Sequence, residues 1–266
     1  VIAVLRIDYN YSFNHFTMKE TPNSITIIIP VFNEEAGIKM IIPAFENYLN
    51  HTNLTASILF VNDGSTDASL VQIKKACSQY DFANYISFDK NTGLSAAIRA
   101  GFQTADTWWV GYIDADLQTN PSDFLKLEPL IHNYDLVTGK RQVRRDSRGK
   151  KIASEFANWF RNSLLHDNIS DSGCPLKIIR RKVALDMPFF KGNHRFFPAL
   201  ALLQRKNITE VPINHYPRLT GRSKFNVWNR LLSPLQDTLA IRWMMKRKTP
   251  YIISESSIRK DKIGIM

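Results

Sequence analysis

Cysteine is scarce in this chain of 266 residues: Cys77 and Cys174 are its two cysteines, and they lie far apart in the sequence. They lack the short spacing of zinc-binding cysteines, and a single pair cannot build the disulfide framework of a small secreted protein. The cysteine content therefore indicates neither structural zinc nor disulfides. It is typical of a protein of the reducing cytosol.

Long hydrophobic runs are also missing. No window approaches the roughly 18 uninterrupted apolar residues that would predict a transmembrane helix. Arg6 and Asp8 interrupt the first apolar stretch too early for the hydrophobic region of a signal peptide. We therefore expect neither kind of segment.

Two common nucleotide-binding loops are absent as well. The chain has no Walker-type loop ending in lysine, and no G-x-G-x-x-G follows the first predicted strand. These absences disfavour P-loop and dinucleotide-binding proteins. We find no internal repeat, and the length with 44% hydrophobic residues fits one large domain.

Acidic residues are outnumbered by basic ones, 24 to 35, which gives a formal net charge of +11. Such a balance favours polyanionic partners: nucleic acid, nucleotides or the anionic face of a membrane. Residues 140–151 alone carry seven basic residues and one acid, and Lys-Arg-Lys stands at 246–248. A solvated surface also explains either segment taken alone.

Short apolar, β-branched runs alternate with helical patterns, as in βαβ units around a mostly parallel sheet. Strands are predicted at 24–31, 57–63, 85–88, 108–116, 135–140, 176–181 and 208–217. Helices are predicted at 35–50, 66–80, 94–105, 121–132, 150–165 and 194–205. Asn120 and Pro121 suit the cap and first residue of the fourth helix. The predicted fold class is α/β, with helices flanking one central sheet.

Carboxylates and amides cluster where three predicted strands end, at 33–35, 62–67 and 114–116. Because the carboxyl ends of parallel strands share one edge of a sheet, we expect these clusters to converge. Turn-forming residues explain any one cluster, but Asp114 and Asp116 follow an apolar run, where unpaired carboxylates are costly. Strand alternation would point both to one side, where they could share Mg²⁺ or Mn²⁺ with substrate phosphates.

Four motifs resemble the signature blocks of family 2 glycosyltransferases with the GT-A fold: IIIPVFNEE, VNDGSTD, NTGLSAAIRAGF and YIDADLQTNP. The similarity covers about residues 24–245 and is strongest to dolichyl-phosphate mannose synthase and related polyprenyl-phosphate glycosyltransferases. DADLQ, SDSGCPLKIIRR and NHYPRLTGRSK carry that closer likeness. The resemblance implies sugar transfer from a GDP- or UDP-linked donor to a polyprenyl phosphate lipid, with Mg²⁺ or Mn²⁺ as cofactor.

The same resemblance assigns roles in the donor site. The nucleotide sugar would be bound by Pro30, Phe32, Glu34, Asp63, Asp114, Asp116 and Ser223. The metal would be held by Asp116 and Gln118, and the catalytic residues would be Asp114, Asp116, Arg218 and Lys224. Arg218, Ser223 and Lys224 form an R-x-x-G-x-S-K pattern that would close over the donor phosphates. An ordinary basic loop is the alternative.

The basic segment after the fifth predicted strand would, by this resemblance, face the acceptor. The acceptor phosphate would be bound by Arg141, by Arg148, Lys150 or Lys151, and by Ser154. Residues 140–155 contain no aromatic side chain to stack on bases, so we expect no nucleic-acid partner. For Asp171 two roles stay open: a catalytic or acceptor-positioning acid, and a turn residue beside Gly173.

A phosphate acceptor needs no general base, because its second pKa of about 6 leaves it largely a dianion at neutral pH. We expect direct attack on the anomeric carbon with inversion, promoted by positioning and charge stabilisation. Two alternatives stay open. One is a family 2 enzyme with a glycan or protein hydroxyl acceptor, and the other is a non-catalytic module that binds membrane or nucleic acid.

The carboxyl-terminal part predicts an amphipathic helix at 226–248 and a polar tail at 249–266. Its apolar positions at helical spacing are Trp228, Leu231, Leu235, Leu239 and Trp243. Beside basic residues, this stripe fits in-plane membrane binding, with packing on the core as the alternative. We expect residues 1–20 to lie outside the fold and 21–225 to form the glycosyltransferase domain. The expected location is peripheral, at the cytoplasmic face of a membrane, with a separate membrane protein partner left open.

Overall fold

The computed structural model describes residues 22–142, 148–217 and 232–249, and the side chains of residues 148–154 and 232 lie outside this description. Within these ranges, helices and strands alternate along the chain as predicted for an α/β protein. The predicted amino-terminal extension lies outside the described residues, as does the polar tail beyond Thr249.

One sheet contains the strands of the described chain. They are β1 Ser24–Val31, β2 Thr55–Asn62, β3 Ala83–Ser87, β4 Trp109–Tyr112, β5 Leu136–Arg141, β6 Lys177–Arg180 and β7 Ile208–Ile213. The α-helices are α1 Glu35–Leu49, α2 Ser69–Gln79, α3 Leu94–Thr104, α4 Phe124–Leu127, α5 Arg148–Leu165, α6 Arg181–Leu185, α7 Phe197–Leu203 and α8 Leu232–Arg247.

The seven strands are ordered β3-β2-β1-β4-β6-β5-β7 across the sheet. Neighbouring strands run parallel except where β6 pairs with β4 and β5. The predicted mostly parallel sheet is confirmed. The strand order reverses between β1 and β4, and open α/β sheets bind ligands outside the carboxyl ends of strands at such a point. Since β6 is antiparallel, its first residue, Lys177, lies at this same edge, opposite Tyr112.

Strand β1 is buried along its whole length because helices cover both faces of the sheet. Ile25, Ile27 and Ile29 pack on the face covered by α1, α2 and α4, whereas Ile28 packs on the face covered by α3, α6 and α7. This alternation is the period of two that a strand requires. The mostly apolar run that predicted β1 is typical of a central parallel strand buried on both sides.

The single helix predicted at 121–132 is wrong in its extent. A 3-10 turn at Pro121–Asp123, the short α4 and a second 3-10 turn at Glu128–Leu130 take its place. Pro129 has no backbone N–H to donate, so it removes one hydrogen bond from a regular α-helical ladder. The predicted start is confirmed, because the Asn120 side chain accepts a backbone N–H at 2.9 Å.

Two predicted strands also end earlier than expected, β4 at Tyr112 and β7 at Ile213. Strand β6 begins opposite Tyr112, so it offers β4 no partner beyond that residue. The helix predicted at 194–205 begins as a 3-10 turn, Asn193–Phe196, before α7. Helix α6 was not predicted, because its five residues follow β6 directly and continue the same mixed pattern.

Helix α8 packs along α5 and α7 and places Ile241 and Thr238 in the interior. On the same helix Leu239 and Trp243 are exposed. One face of the predicted amphipathic segment is therefore docked on the protein, and another is open to the surroundings. Residues 226–231 of that segment lie outside the described part. Among the described residues, we find no helix whose length and hydropathy would suffice to cross a lipid bilayer.

Candidate active site

The loops after β1 and β2 are joined at the carboxyl edge of the sheet. The Asn33 backbone N–H donates to Ser65 Oγ at 3.0 Å, and Thr66 N–H donates to Asn33 Oδ1 at 2.8 Å. Asn33 has a φ of +53°, a left-handed conformation that asparagine tolerates better than most residues. The two loops that carry the first two polar clusters therefore form one unit.

Three predicted donor-site residues lie on this unit. Pro30 is the penultimate residue of β1, and Phe32 and Glu34 follow the strand directly. The Glu34 backbone N–H donates to Ser69 Oγ at the start of α2, at 2.9 Å. The structure thus brings these three residues to the edge where the sequence predicts the nucleotide.

Asp63 organises the neighbouring loop. It is 3% exposed, and its carboxylate accepts the backbone N–H groups of Thr92 and Gly93 at 2.7 and 2.9 Å and the Asn91 amide at 2.8 Å. Gly64, at φ +64°, makes this contact possible, since a Cβ there would lie 2.2 Å from the Lys90 carbonyl carbon. The motifs VNDGSTD and NTGLS are therefore held together through Asp63.

Asp114 lies just beyond β4, next to a residue that the sequence analysis did not single out. The buried Tyr112 hydroxyl donates to Asp114 Oδ1 at 2.7 Å. Burial raises the pKa of Asp114 above its ordinary value, and the nearby Asp116 charge raises it further. The Tyr112 hydrogen bond and the positive charges of Arg141 and Lys177 act in the opposite direction on this pKa.

Asp116 lies in a turn rather than on a strand, so the alternation argument for the two carboxylates is wrong. Its Oδ1 accepts the backbone N–H of Gln118 at 3.1 Å. Between them, Leu117 has a φ of +53°, a strained conformation for a residue with a branched side chain. Such strain is concentrated at functional sites, where the surrounding fold enforces it.

The turn that contains Gln118 is tied to the chain after β7. The backbone N–H of Tyr216 donates to the Gln118 carbonyl at 2.9 Å. Arg218, Ser223 and Lys224 themselves lie outside the described residues. Tyr216, two residues before Arg218, lies beside the Asp116 turn.

The donor atoms at this turn are those that a hard divalent cation accepts. Asp114 and Asp116 offer carboxylate oxygens and Gln118 an amide oxygen, in a region of concentrated negative charge. In the described ranges, no group of three or more His, Cys, Asp or Glu side chains is arranged to hold a metal ion. The chemistry of these donors fits Mg²⁺ or Mn²⁺, which bind carboxylate and amide oxygens and take further ligands from substrate phosphates.

Arg141, the last residue of β5, forms a two-point ion pair with Asp171. Its Nε and Nη2 lie 2.7 and 2.8 Å from the Asp171 oxygens, and its backbone N–H donates to Oδ2 at 3.2 Å. Both side chains are largely buried. Sequence reasoning left Asp171 open and treated Arg141 alone, because nothing local connects residues 30 positions apart.

The other predicted acceptor residues lie at the start of α5. Arg148, Lys150, Lys151 and Ser154 fall within the first two turns of that helix, and their side chains are not among those described. Helix α5 follows β5 after residues 143–147, which are outside the description. The predicted acceptor residues are thus divided between the end of β5 and the beginning of α5.

Two relatives are similar over most of the chain. Dodecaprenyl-phosphate galacturonate synthase of Rhizobium johnstonii is 28% identical over 84% of this chain and 68% of its own length. Undecaprenyl-phosphate 4-deoxy-4-formamido-L-arabinose transferase of Aeromonas hydrophila is 30% identical over 76% of this chain and 63% of its own. The chain therefore spans roughly two thirds of the length of these relatives.

A solved structure has the same fold. Glucosyl-3-phosphoglycerate synthase from Mycobacterium tuberculosis, in complex with Mn²⁺, uridine diphosphate and glucosyl-3-phosphoglycerate, superimposes with a TM-score of 0.64. The match covers 84% of this chain and 80% of that one at 16% identity. The GT-A-type fold expected from the sequence is confirmed.

The family model for glycosyl transferase family 2 matches residues 26–187, a span that includes most of β1, the Asp63 loop, the Asp116 turn and the Arg141–Asp171 pair. The resemblance inferred from the four sequence motifs is thereby confirmed. The chain belongs to glycosyl transferase family 2.

Proposed function

We propose that this protein transfers a sugar from a nucleotide-linked donor to a polyprenyl phosphate of the dolichyl or undecaprenyl type. The observation that carries the proposal is the adjacency of an acidic and a basic group at one edge of the sheet. Asp114 and Asp116 follow the end of β4, and Arg141 ends β5 at the same edge, with β6 between the two strands. Both relatives described above are named for polyprenyl-phosphate sugar chemistry, which supports the same acceptor class.

The donor would bind at the joined loops after β1 and β2, with its diphosphate at the Asp116 turn. Pro30, Phe32, Glu34 and Asp63 would line the nucleotide, as the resemblance implies. Structures of the mycobacterial synthase contain Mn²⁺ or Mg²⁺ with uridine diphosphate, which supports a divalent cation here. When bound by Asp116 and Gln118, such an ion supplies positive charge to the diphosphate leaving group.

Residues of the chain would then orient the two substrates. Arg141 and the basic residues at the start of α5 would hold the acceptor phosphate against the anomeric carbon. One phosphate oxygen forms a bond to that carbon while the bond from the carbon to the donor diphosphate breaks, which inverts the configuration. The acceptor is already a dianion, so no side chain has to remove a proton. Arg218, Ser223 and Lys224 would close over the departing nucleotide diphosphate.

A lipid acceptor requires access to a membrane, and exposed apolar side chains on two packed helices, α5 and α8, suit such a contact. Phe156 and Trp159 on α5 are 49% and 64% exposed, with ring centroids 5.9 Å apart. On the adjoining α8, Leu239 and Trp243 are 55% and 60% exposed. We call these four residues the exposed apolar set.

Basic residues follow the exposed apolar set at the end of α8. Lys246, Arg247 and Lys248 are exposed, and the Arg247 guanidinium lies 5.7 Å from the centre of the Trp243 ring. Tryptophan and basic residues together favour the interface of an anionic membrane. The proposal therefore includes peripheral binding at the cytoplasmic face of a membrane, alone or with a separate membrane protein.

The test is a transfer assay with labelled UDP- and GDP-sugars, undecaprenyl or dolichyl phosphate, and Mn²⁺ or Mg²⁺. We expect a chloroform-soluble sugar phosphate whose anomeric configuration, measured by NMR, is opposite to that of the donor. Asp116→Ala is the negative control. Transfer to glycan or peptide hydroxyls with no lipid product would replace this proposal by the hydroxyl-acceptor alternative. Retained configuration would contradict the inverting mechanism.

A further inference from the structure

Two buried cations hold the loop between α5 and β6, residues 167–174. Arg161, on α5, is 3% exposed and pairs through Nε with Asp167 Oδ2 at 2.8 Å. Its Nη1 donates to Ser172 Oγ at 2.6 Å, and its Nη2 donates to the Ile169 carbonyl. One arginine therefore fixes three points of this loop.

Lys177, the first residue of β6, is the second cation and is 1% exposed. Its ammonium donates to the carbonyls of Ser172, at 3.1 Å, and of Cys174. Lysine is almost never buried so completely without partners, because desolvating the charge is costly. Burial accordingly lowers the Lys177 pKa to about 8. The two carbonyls partly offset this cost, and the ammonium in turn fixes their positions.

The loop held in this way presents Asp171 to Arg141. The Cys174 N–H closes a turn onto the Asp171 carbonyl at 3.1 Å. On the other side, Glu210 of β7 accepts the Ser170 backbone N–H at 2.9 Å. Asp171 therefore has little freedom to follow Arg141, and the position of the guanidinium is set by the loop.

We propose that Lys177 and Arg161 are positioning residues for the acceptor phosphate: they fix the loop 167–174 so that Asp171 orients Arg141. This inference rests on the proposed function, since it takes Arg141 to be a ligand of that phosphate. Arg161 lies on the same helix that begins with Arg148, Lys150 and Ser154. The loop thus links the two parts of the acceptor site, the end of β5 and helix α5.

The experiment compares Lys177→Met and Lys177→Arg with Lys182→Met, a change of an exposed lysine on α6. For each variant we would measure the acceptor KM, the donor KM, the Kd for nucleoside diphosphate with Mn²⁺, and the Tm. We expect Lys177→Met to raise the acceptor KM about tenfold, with the donor KM and nucleotide Kd within about twofold of wild type. Lys177→Arg, which keeps a cation, should restore part of the loss.

A double-mutant cycle with Arg141→Ala tests whether Lys177 acts through that arginine. If it does, Lys177→Met adds little to the acceptor KM of Arg141→Ala, because the two changes remove the same interaction. Additive effects, or equal increases in donor and acceptor KM, would overturn the inference. So would a fall in Tm with no change in acceptor KM.

Should Lys177→Met fail to fold, Asp171→Asn provides the second test, since it keeps the shape of the loop and removes the charge that faces Arg141. An unchanged acceptor KM in Asp171→Asn would also overturn the inference. Failure of the proposed function has a different signature. In that case the wild type makes no polyprenyl-linked product, or Arg141→Ala leaves the acceptor KM at the wild-type value.

Discussion

The carboxylate of Asp171 holds one edge of the Arg141 guanidinium, with Nε at 2.7 Å and Nη2 at 2.8 Å. An arginine gripped at one edge by a carboxylate keeps its plane in a defined direction, and its other nitrogen points away from that carboxylate. In a site that binds a phosphate, such an arrangement replaces a mobile cation by an oriented one.

Arg141→Ala should raise the acceptor KM by about tenfold or more, because the oriented charge is lost, and should leave nucleotide binding within about twofold. Arg141→Lys keeps the charge without the planar fork, so its defect should be intermediate. Steady-state kinetics with each substrate varied in turn would measure both effects. Lys74→Ala, an exposed cation on α2, is the control. An equal loss of nucleotide affinity would assign Arg141 to the donor side.

Asp116→Ala should reduce turnover by roughly a hundredfold or more, because the divalent cation and its stabilisation of the leaving group are lost together. The variant should also lose the Mn²⁺ dependence of nucleoside diphosphate binding, measured by calorimetry with and without the metal. Asp81→Ala is the matched control, because Asp81 is exposed and precedes the amino end of β3, at the edge of the sheet away from the Asp116 turn. Wild-type turnover of Asp116→Ala with Mn²⁺ or Mg²⁺ would contradict the metal assignment.

Trp159→Ser combined with Trp243→Ser should weaken binding to vesicles of phosphatidylglycerol and phosphatidylcholine without changing the Tm, because both rings are exposed. Sedimentation of the wild type should be strongest at low salt and should decline at high salt, as the basic residues at the end of α8 are screened. Val71→Ser, which removes an exposed apolar side chain on α2, should bind like the wild type. If the wild type did not sediment with these vesicles at low salt, the proposed membrane binding would be refuted.

Stability should depend on pH through His194. Its Nδ1 lies 2.9 Å from Ser95 Oγ, and burial, followed by the charges of Arg195 and Lys177, lowers its pKa from 6.5 to about 3. Between these two pH values His194 is protonated in the unfolded chain and neutral in the folded protein. The free energy of unfolding should therefore fall as the pH is lowered from 6.5 towards 3, by up to about 1.4 kcal/mol per pH unit from this group.

His194→Gln removes this titration, so its unfolding free energy should vary less steeply with pH over the same range. Urea unfolding at several pH values between about 4 and 7 measures the slope. His132→Gln, at an exposed position, is the control. Identical slopes for wild type and His194→Gln would show that this imidazole does not contribute.

Local patterns in the sequence were sufficient for the central strands. The run that becomes β1 is mostly apolar because both of its faces are buried, and few other structures produce that pattern. Asp63, Asp114 and Asp116 were placed at the correct edge because parallel strands deliver their carboxyl ends together. These inferences need no knowledge of which segments meet in space.

The contacts that sequence reasoning missed are long-range or depend on the environment of one side chain. The sequence does not distinguish Lys177 from the other basic residues. Its burial follows from the position of β6 between β4 and β5, which is a long-range feature of the sheet. Asp171 and Arg141 meet for the same reason. The left-handed Leu117 could not be predicted either, because leucine has no local preference for that conformation.

The antiparallel direction of β6 has a consequence for how this scaffold could diversify. The donor loops leave the sheet from β1, β2 and β4, whereas the loop with Asp171 enters it ahead of β6. Under the proposed assignment, separate segments of the chain bind the two substrates, and the same sheet supports both segments. Exchanging residues 136–180 between homologues would then change the acceptor and keep the donor, so acceptor specificity could be re-engineered while donor binding stays intact.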